Sequence, residues 1–165
     1  MIIYDNYQIR RATVADAEIL AHQRTEMWLA MKVLAPESAE SMTQESLIYF
    51  REAVSIGEYI GWLVSPKDEP QTIVAGGGLS IKLSPPMFSQ NGFTQPVGYA
   101  AHVFNVFVEP THRKQGLARF IMETIKTFCQ NANVKTITLN ASIEGRPLYE
   151  SLGYKVVDNF MRLRL

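Results

Sequence analysis

The order of segments along the chain predicts a mixed α/β fold: a central, mostly antiparallel twisted sheet of about six to seven strands flanked by four helices. Three observations carry this. Seven short stretches, beginning with YQIRRA at Tyr7 to Ala12, alternate or run apolar over strand lengths. Four others repeat apolar residues at three- and four-residue spacing. The resulting order βααβββαβαββ has too few regular strand–helix alternations for a barrel or a doubly wound sheet. The 165 residues, 47% hydrophobic and 19% charged, fall near the usual size of one domain, so one compact core over residues 1–165 is expected.

Each element has its own signal. Thr13 followed by Asp16 reads as a capping-box start, after which Ala17, Leu20, Ala21, Arg24, Met27, Trp28 and Met31 trace one face of a helix that ends before Pro36. Leu47, Ile48, Phe50, Arg51 and Val54 make the stripe of a second helix, from Thr43 or Glu45 to about Ser55, closed by Gly57. Strands at Tyr59 to Val64 and Thr72 to Ile81 flank a polar turn and read as a hairpin; the triple glycine at Gly76 reads as a bulge or a tight sheet contact. Residues Ser84 to Pro96 carry prolines and an Asn-Gly pair and read as a protruding loop, whose Phe88 and Phe93 suit an acceptor pocket, a homodimer contact or a loop anchor equally. Gly98 to Glu109 is the most strand-like stretch and Leu117 to Asn131 the best helix. A strand at Lys135 to Ala141 and a short helix from Glu144 to Leu152 follow, and YKVVD with NFMRLRL reads as a closing pair of strands.

Charge and cysteine usage exclude several classes. Lys plus Arg and Asp plus Glu are both 16, so the long-range field that drives general nucleic-acid or anionic-membrane binding is missing. Residues 1 to 100 hold 7 basic and 11 acidic side chains and residues 101 to 165 hold 9 and 5, an imbalance that weakly favours a cationic ligand on the first part. The single cysteine, Cys129, rules out an internal disulfide framework and a multi-cysteine zinc cage. His22, His102 and His112 lack ligand-like spacing, so no metal site is expected. The longest apolar run, Met27 to Met31, is far short of the ~20 residues of a membrane helix, and MIIYDNYQ lacks a signal-peptide pattern; the cytoplasm is the expected compartment.

The chemistry concentrates in VFVEPTHRKQGLARF, where a hydrophobic strand runs through a Pro turn and R-x-x-G-x-A straight into an amphipathic helix. The first N–H groups of a helix lack internal partners and sit at the positive end of its dipole, so Lys114, Gln115, Gly116, Leu117, Ala118 and Arg119 can present a row of donors to phosphate oxygens. Gly116 admits a close approach, Ala118 keeps the wall small, and Arg113 and Lys114 add charge. No GxxxxGK[ST] loop competes.

Together with the LNAS strand end and EGRPLYESLGY downstream, this segment resembles the GNAT superfamily of acyl-CoA-dependent N-acetyltransferases, whose pyrophosphate motif Q/R-x-x-G-x-G/A is here Arg113 to Ala118. The resemblance implies acetyl-CoA as acyl donor and a primary amine of a small molecule or peptide as acceptor, with direct attack in a ternary complex. It implies that the backbone of Val106, Phe107 and Val108 holds the pantetheine arm and the acetyl carbonyl. It further assigns a cofactor contact to Asn140 in preference to Ser142, although family members commonly carry an asparagine nearer the closing helix. Tyr149 matches the tyrosine that protonates the departing thiolate, a transfer uphill by only about 2 kcal/mol. A lysine-like amine needs about 4.6 kcal/mol to be neutral at pH 7, so a base would help it; Glu109, His102 and Glu26 are candidates, and none stands out. A non-catalytic acyl-CoA sensor of the same fold is the alternative.

Overall fold

The computed structural model describes residues 3–88, 94–95, 97–157 and 161–164. Its main sheet has five strands in the order β1 (Tyr7–Arg11), β2 (Ile60–Pro66), β3 (Ala75–Ser84), β6 (Gly98–Val108) and β7 (Val134–Leu139). The first three pairings are antiparallel and only β6 with β7 is parallel. Between β3 and β6, β4 (Met87–Phe88) and β5 (Thr94–Gln95) form a separate two-residue ladder within the protruding loop. Phe93 lies outside the described residues.

Four helices accompany the sheet: α1 (Ala17–Ala30), α2 (Ala39–Ser55), α3 (Leu117–Asn131) and α4 (Arg146–Ser151). The Thr13 N–H and hydroxyl both donate to Asp16 Oδ2, at 2.8 and 3.0 Å, and the Asp16 carboxylate also takes two bonds from Arg10. This start locks α1 onto β1. α2 begins earlier than its apolar stripe suggests, because a 3-10 turn opened by Pro36 already sets helical geometry ahead of Ala39.

Two sets of buried side chains fill the two sides of the sheet. Leu117, Ile121, Met122, Ile125 and Cys129 of α3 meet Trp62, Val64, Leu79 and Val103 on one side. Leu20 and Ala21 of α1 and Phe50 and Ala53 of α2 meet Tyr59 and Leu63 on the other. The glycine triplet lets both sides come close. A Cβ at Gly77 would lie 2.9 Å from Ile121 Cγ2, whereas one at Gly78 would lie 2.5 Å from the Ile60 carbonyl oxygen and collide with the Tyr59 ring.

The closing strand pair is not seen among the described residues. Residues 154–157 and 161–164 carry no strand, Asp158 to Phe160 lie outside the described residues, and Val156, Val157, Met161 and Leu163 are exposed. The sheet therefore has five strands instead of the expected six to seven, plus the short ladder in the loop.

Candidate functional site

Two local features open the sheet. β7 pairs with β6 only from Tyr99 to Val103, so from Phe104 to Val108 β6 keeps β3 as its one ladder partner. In that stretch Gly76 faces Phe107 and Gly78 faces Phe104, which leaves two residues of β6, Asn105 and Val106, opposite the single Gly77. This is a β-bulge, and Asn105 carries it with φ at 61°. Its buried side chain donates from Nδ2 to the Leu20 carbonyl of α1 at 3.2 Å. The sequence signal was an asparagine inside a Val/Phe strand, and it passed unused.

The open stretch of β6 runs into the turn Pro110–His112 and then to the start of α3. Lys114 and Gly116 both have positive φ, 63° and 80°, which turns successive N–H groups toward one concavity. The bond from the Phe120 N–H to the Gly116 carbonyl (3.0 Å) leaves the N–H groups ahead of it without an intrahelical acceptor. Arg113 is exposed and folds back, its Nε donating to the Val108 carbonyl at 3.0 Å and its guanidinium lying 5.9 Å from the Phe107 ring centre. Gln115 Oε1 accepts from the Tyr7 hydroxyl at 2.7 Å, pinning the loop to β1. Leu117 is a core side chain at 1% exposure, so its N–H is the group it has to offer. Arg119 donates to Ser151 Oγ at 2.6 Å and ties α3 to α4.

The remaining residues singled out in the sequence divide. Asn140 is exposed just past the end of β7, whereas Ser142 Oγ accepts from the Gly145 N–H at 3.0 Å and so serves the turn into α4. Tyr149 sits on α4, half-buried against the α3 side of the core and edge-on to Tyr154 at 6.0 Å; burial pushes its phenol up, and its hydroxyl makes no hydrogen bond to a described residue. Tyr154 is pushed further, to about 12, chiefly by burial. His102 Nδ1 lies 2.9 Å from Thr138 Oγ1 on β7, at the last rungs of the parallel pair, and burial, with Lys82 adding, lowers its pKa. Glu109 faces His22 of α1 at 3.7 Å. Among the described residues, no three His, Cys, Asp or Glu side chains gather as a metal site, and no helix is long and apolar enough to cross a membrane.

The sheet is thus opened at its one parallel pair among the described residues, with a helix start rich in free N–H groups where the open strand leads. The Acetyltransferase (GNAT) domain family matches residues 87–162. A GCN5-related N-acetyltransferase from Ralstonia eutropha superposes with a TM-score of 0.81 at 21% identity, over 96% of this chain and 98% of that one. A predicted acetyltransferase from Clostridium acetobutylicum, solved with acetyl-CoA, gives 0.77 at 21% identity over 96% of each. A ribosomal-protein-alanine N-acetyltransferase from Brucella melitensis gives 0.68 at 16% identity over 96% and 99%. Residues 87–162 thus match the GNAT acetyltransferase domain family, and the chain as a whole has the fold of these solved acetyltransferases.

Proposed function

We propose that the protein transfers an acetyl group from acetyl-CoA to a primary amine of a small molecule or peptide, by direct attack of the amine on the thioester. The observation that carries this is the open edge of β6 leading without interruption into the positive-φ loop and the α3 N-terminus. In this reading the unpaired edge of Val106 to Val108 takes the pantetheine arm as a strand would. The N–H groups from Lys114 to Arg119 take the pyrophosphate, with Arg113 and Lys114 supplying positive charge. Asn140 stands beside the same opening as a further contact. Residues 1–165 act as one domain.

The lone pair of the neutral amine attacks the carbonyl carbon, the C–S bond breaks, coenzyme A leaves as a thiolate, and the proton shed by the nitrogen passes to solvent. Charge on the carbonyl oxygen falls to β6 N–H groups near Val108. Tyr149 donates its phenolic proton to the departing sulfur. Its raised pKa keeps it protonated at neutral pH and also makes donation costlier than the about 2 kcal/mol of an ordinary tyrosine, a cost that reprotonation from solvent relieves. Calorimetric titration with acetyl-CoA, with Gly116→Glu as comparison, tests the donor site. Binding near −8 kcal/mol, about micromolar, that the variant loses supports the reading. Absence of binding by the folded wild-type protein overturns it, and binding without transfer to any amine would favour a sensor.

A further inference from the structure

Arg24 interrupts the apolar stripe of α1, and the structure leaves it without a partner of opposite charge. It is half-buried, yet it donates no hydrogen bond and forms no ion pair with any described residue; its guanidinium carbon lies 5.6 Å from the centre of the Trp28 ring. One turn further along, the indole N–H of Trp28 is buried and also lacks an acceptor. The ionisable groups nearest Arg24 are the Tyr49 and Tyr59 phenols, neutral at physiological pH, and burial weakens its hold on its proton. Glu58 bears on the Tyr49 phenol, and no carboxylate forms an ion pair with Arg24 among the described residues. A desolvated cation with no anion is a costly arrangement for the folded chain alone.

The surroundings show what this cation faces. Tyr49 lies 6.4 Å from Phe104, and Phe104 is 6.3 Å from His102, ring centre to ring centre. Phe104 is the first β6 residue past the rungs shared with β7, and His102 holds Thr138 across the last of them. The aromatic wall beside Arg24 therefore runs along the α1 and α2 side of the sheet to the base of the opening. In the proposed reaction that is where an amine would reach the thioester.

We infer that the acceptor is an anionic amine, whose carboxylate or phosphate group seats on Arg24 while its amino group points along the Phe104 wall to the opening. This rests on the transferase reading above and narrows it. The guanidinium fork suits either oxyanion, and a carboxylate or phosphate would also relieve the unpaired cation. It reverses the weak expectation from the acidic first hundred residues: the net charge of a region says less than a half-buried cation that has no carboxylate partner among the described residues.

The test is a set of matched primary amines: β-alanine against β-alaninamide, L-lysine against L-lysinamide, and O-phosphoethanolamine against ethanolamine, each with acetyl-CoA. The anionic member of at least one pair is expected to have a kcat/KM about ten- to a hundredfold above its neutral partner. The carboxylate and phosphate pairs tell the two oxyanions apart. Arg24→Gln should lower that ratio at least about tenfold, and Arg24→Lys, which keeps the charge but not the fork, should keep part of it. In wild-type protein with coenzyme A bound, the favoured anionic amine should alter tryptophan emission through Trp28 while its neutral partner does not. Preference for the neutral members throughout, or a ratio that Arg24→Gln leaves unchanged, overturns the inference and spares the transferase reading. Transfer to no amine by protein that binds acetyl-CoA overturns both.

Discussion

The two sides of the β6 opening are built from different materials. The candidate donor side, from Gly98 through the turn to α3 and β7, is one contiguous stretch whose working groups are backbone N–H and carbonyl atoms set by a bulge, two positive-φ residues and a helix start. The wall on the α1 and α2 side draws on side chains from three separated segments, Arg24 and Trp28, Tyr49, and His102 with Phe104. Backbone geometry leaves its mark in glycines, prolines and helix caps, which recur in local order. A wall of side chains is assembled only by the fold, so its chemistry is free to follow the ligand.

Breaking the donor side alone should give the largest effect. Gly116→Glu places a side chain at φ 80° and a negative charge among the N–H groups, and acetyl-CoA affinity should fall at least about a hundredfold by calorimetry while the thermal midpoint moves little by comparison. Tyr149→Phe should come next. Turnover is expected to drop about a hundredfold with KM for acetyl-CoA within about twofold, and equal turnover of the two proteins would remove Tyr149 from the chemistry.

The strip between the two sides should be the most sensitive to added volume. Gly78→Ala puts a methyl 2.5 Å from the Ile60 carbonyl oxygen, a backbone atom that cannot swing aside. A loss of about 2–3 kcal/mol in urea unfolding is expected, and a loss under about 0.5 kcal/mol would mean the strands part more readily than their packing suggests.

The α1 side has a smaller and pH-dependent weak point. The Arg10 guanidinium beside Asp16, helped by the Thr13 donors, holds its carboxyl at about 2 instead of 3.8 against an opposing push from burial. A depressed carboxyl stabilises the fold above its unfolded value, so this contribution is complete above pH 4 and is lost as pH falls toward 2. Asp16→Asn should cost about 1–2 kcal/mol at pH 7 and flatten that acid limb; unfolding curves of both proteins that stay parallel down to pH 2 would remove the role.

Legibility in the sequence follows the same division. The Leu117–Asn131 helix, the tight sheet contact at the glycine triplet and the R-x-x-G-x-A turn are readable because local chain geometry dictates them, whereas the extra residue of the bulge lies across the ladder on β6. Asn105 and Arg24 were visible as oddities, a polar residue in a strand and a cation in an apolar stripe, but their meaning needed partners far off in the chain: the Leu20 carbonyl for one, and the lack of any carboxylate for the other. YKVVD and NFMRLRL have strand composition, yet residues 154–157 and 161–164 carry no strand, and residues 158–160 and 165 lie outside the described residues. The Ser142 hydroxyl takes a bond from the Gly145 N–H, a turn contact that its place in the sequence does not announce.

Asn105 has a mechanical consequence. It sets the bulge that opens β6, and by the same side chain it is bolted to the first turn of α1. A strand that shifts by a fraction of an ångström to accommodate a ligand cannot do so without pulling on the helix that carries Arg24. If donor and acceptor bind as proposed, each would strain or settle the seat of the other through this one amide, and by the same factor in both directions.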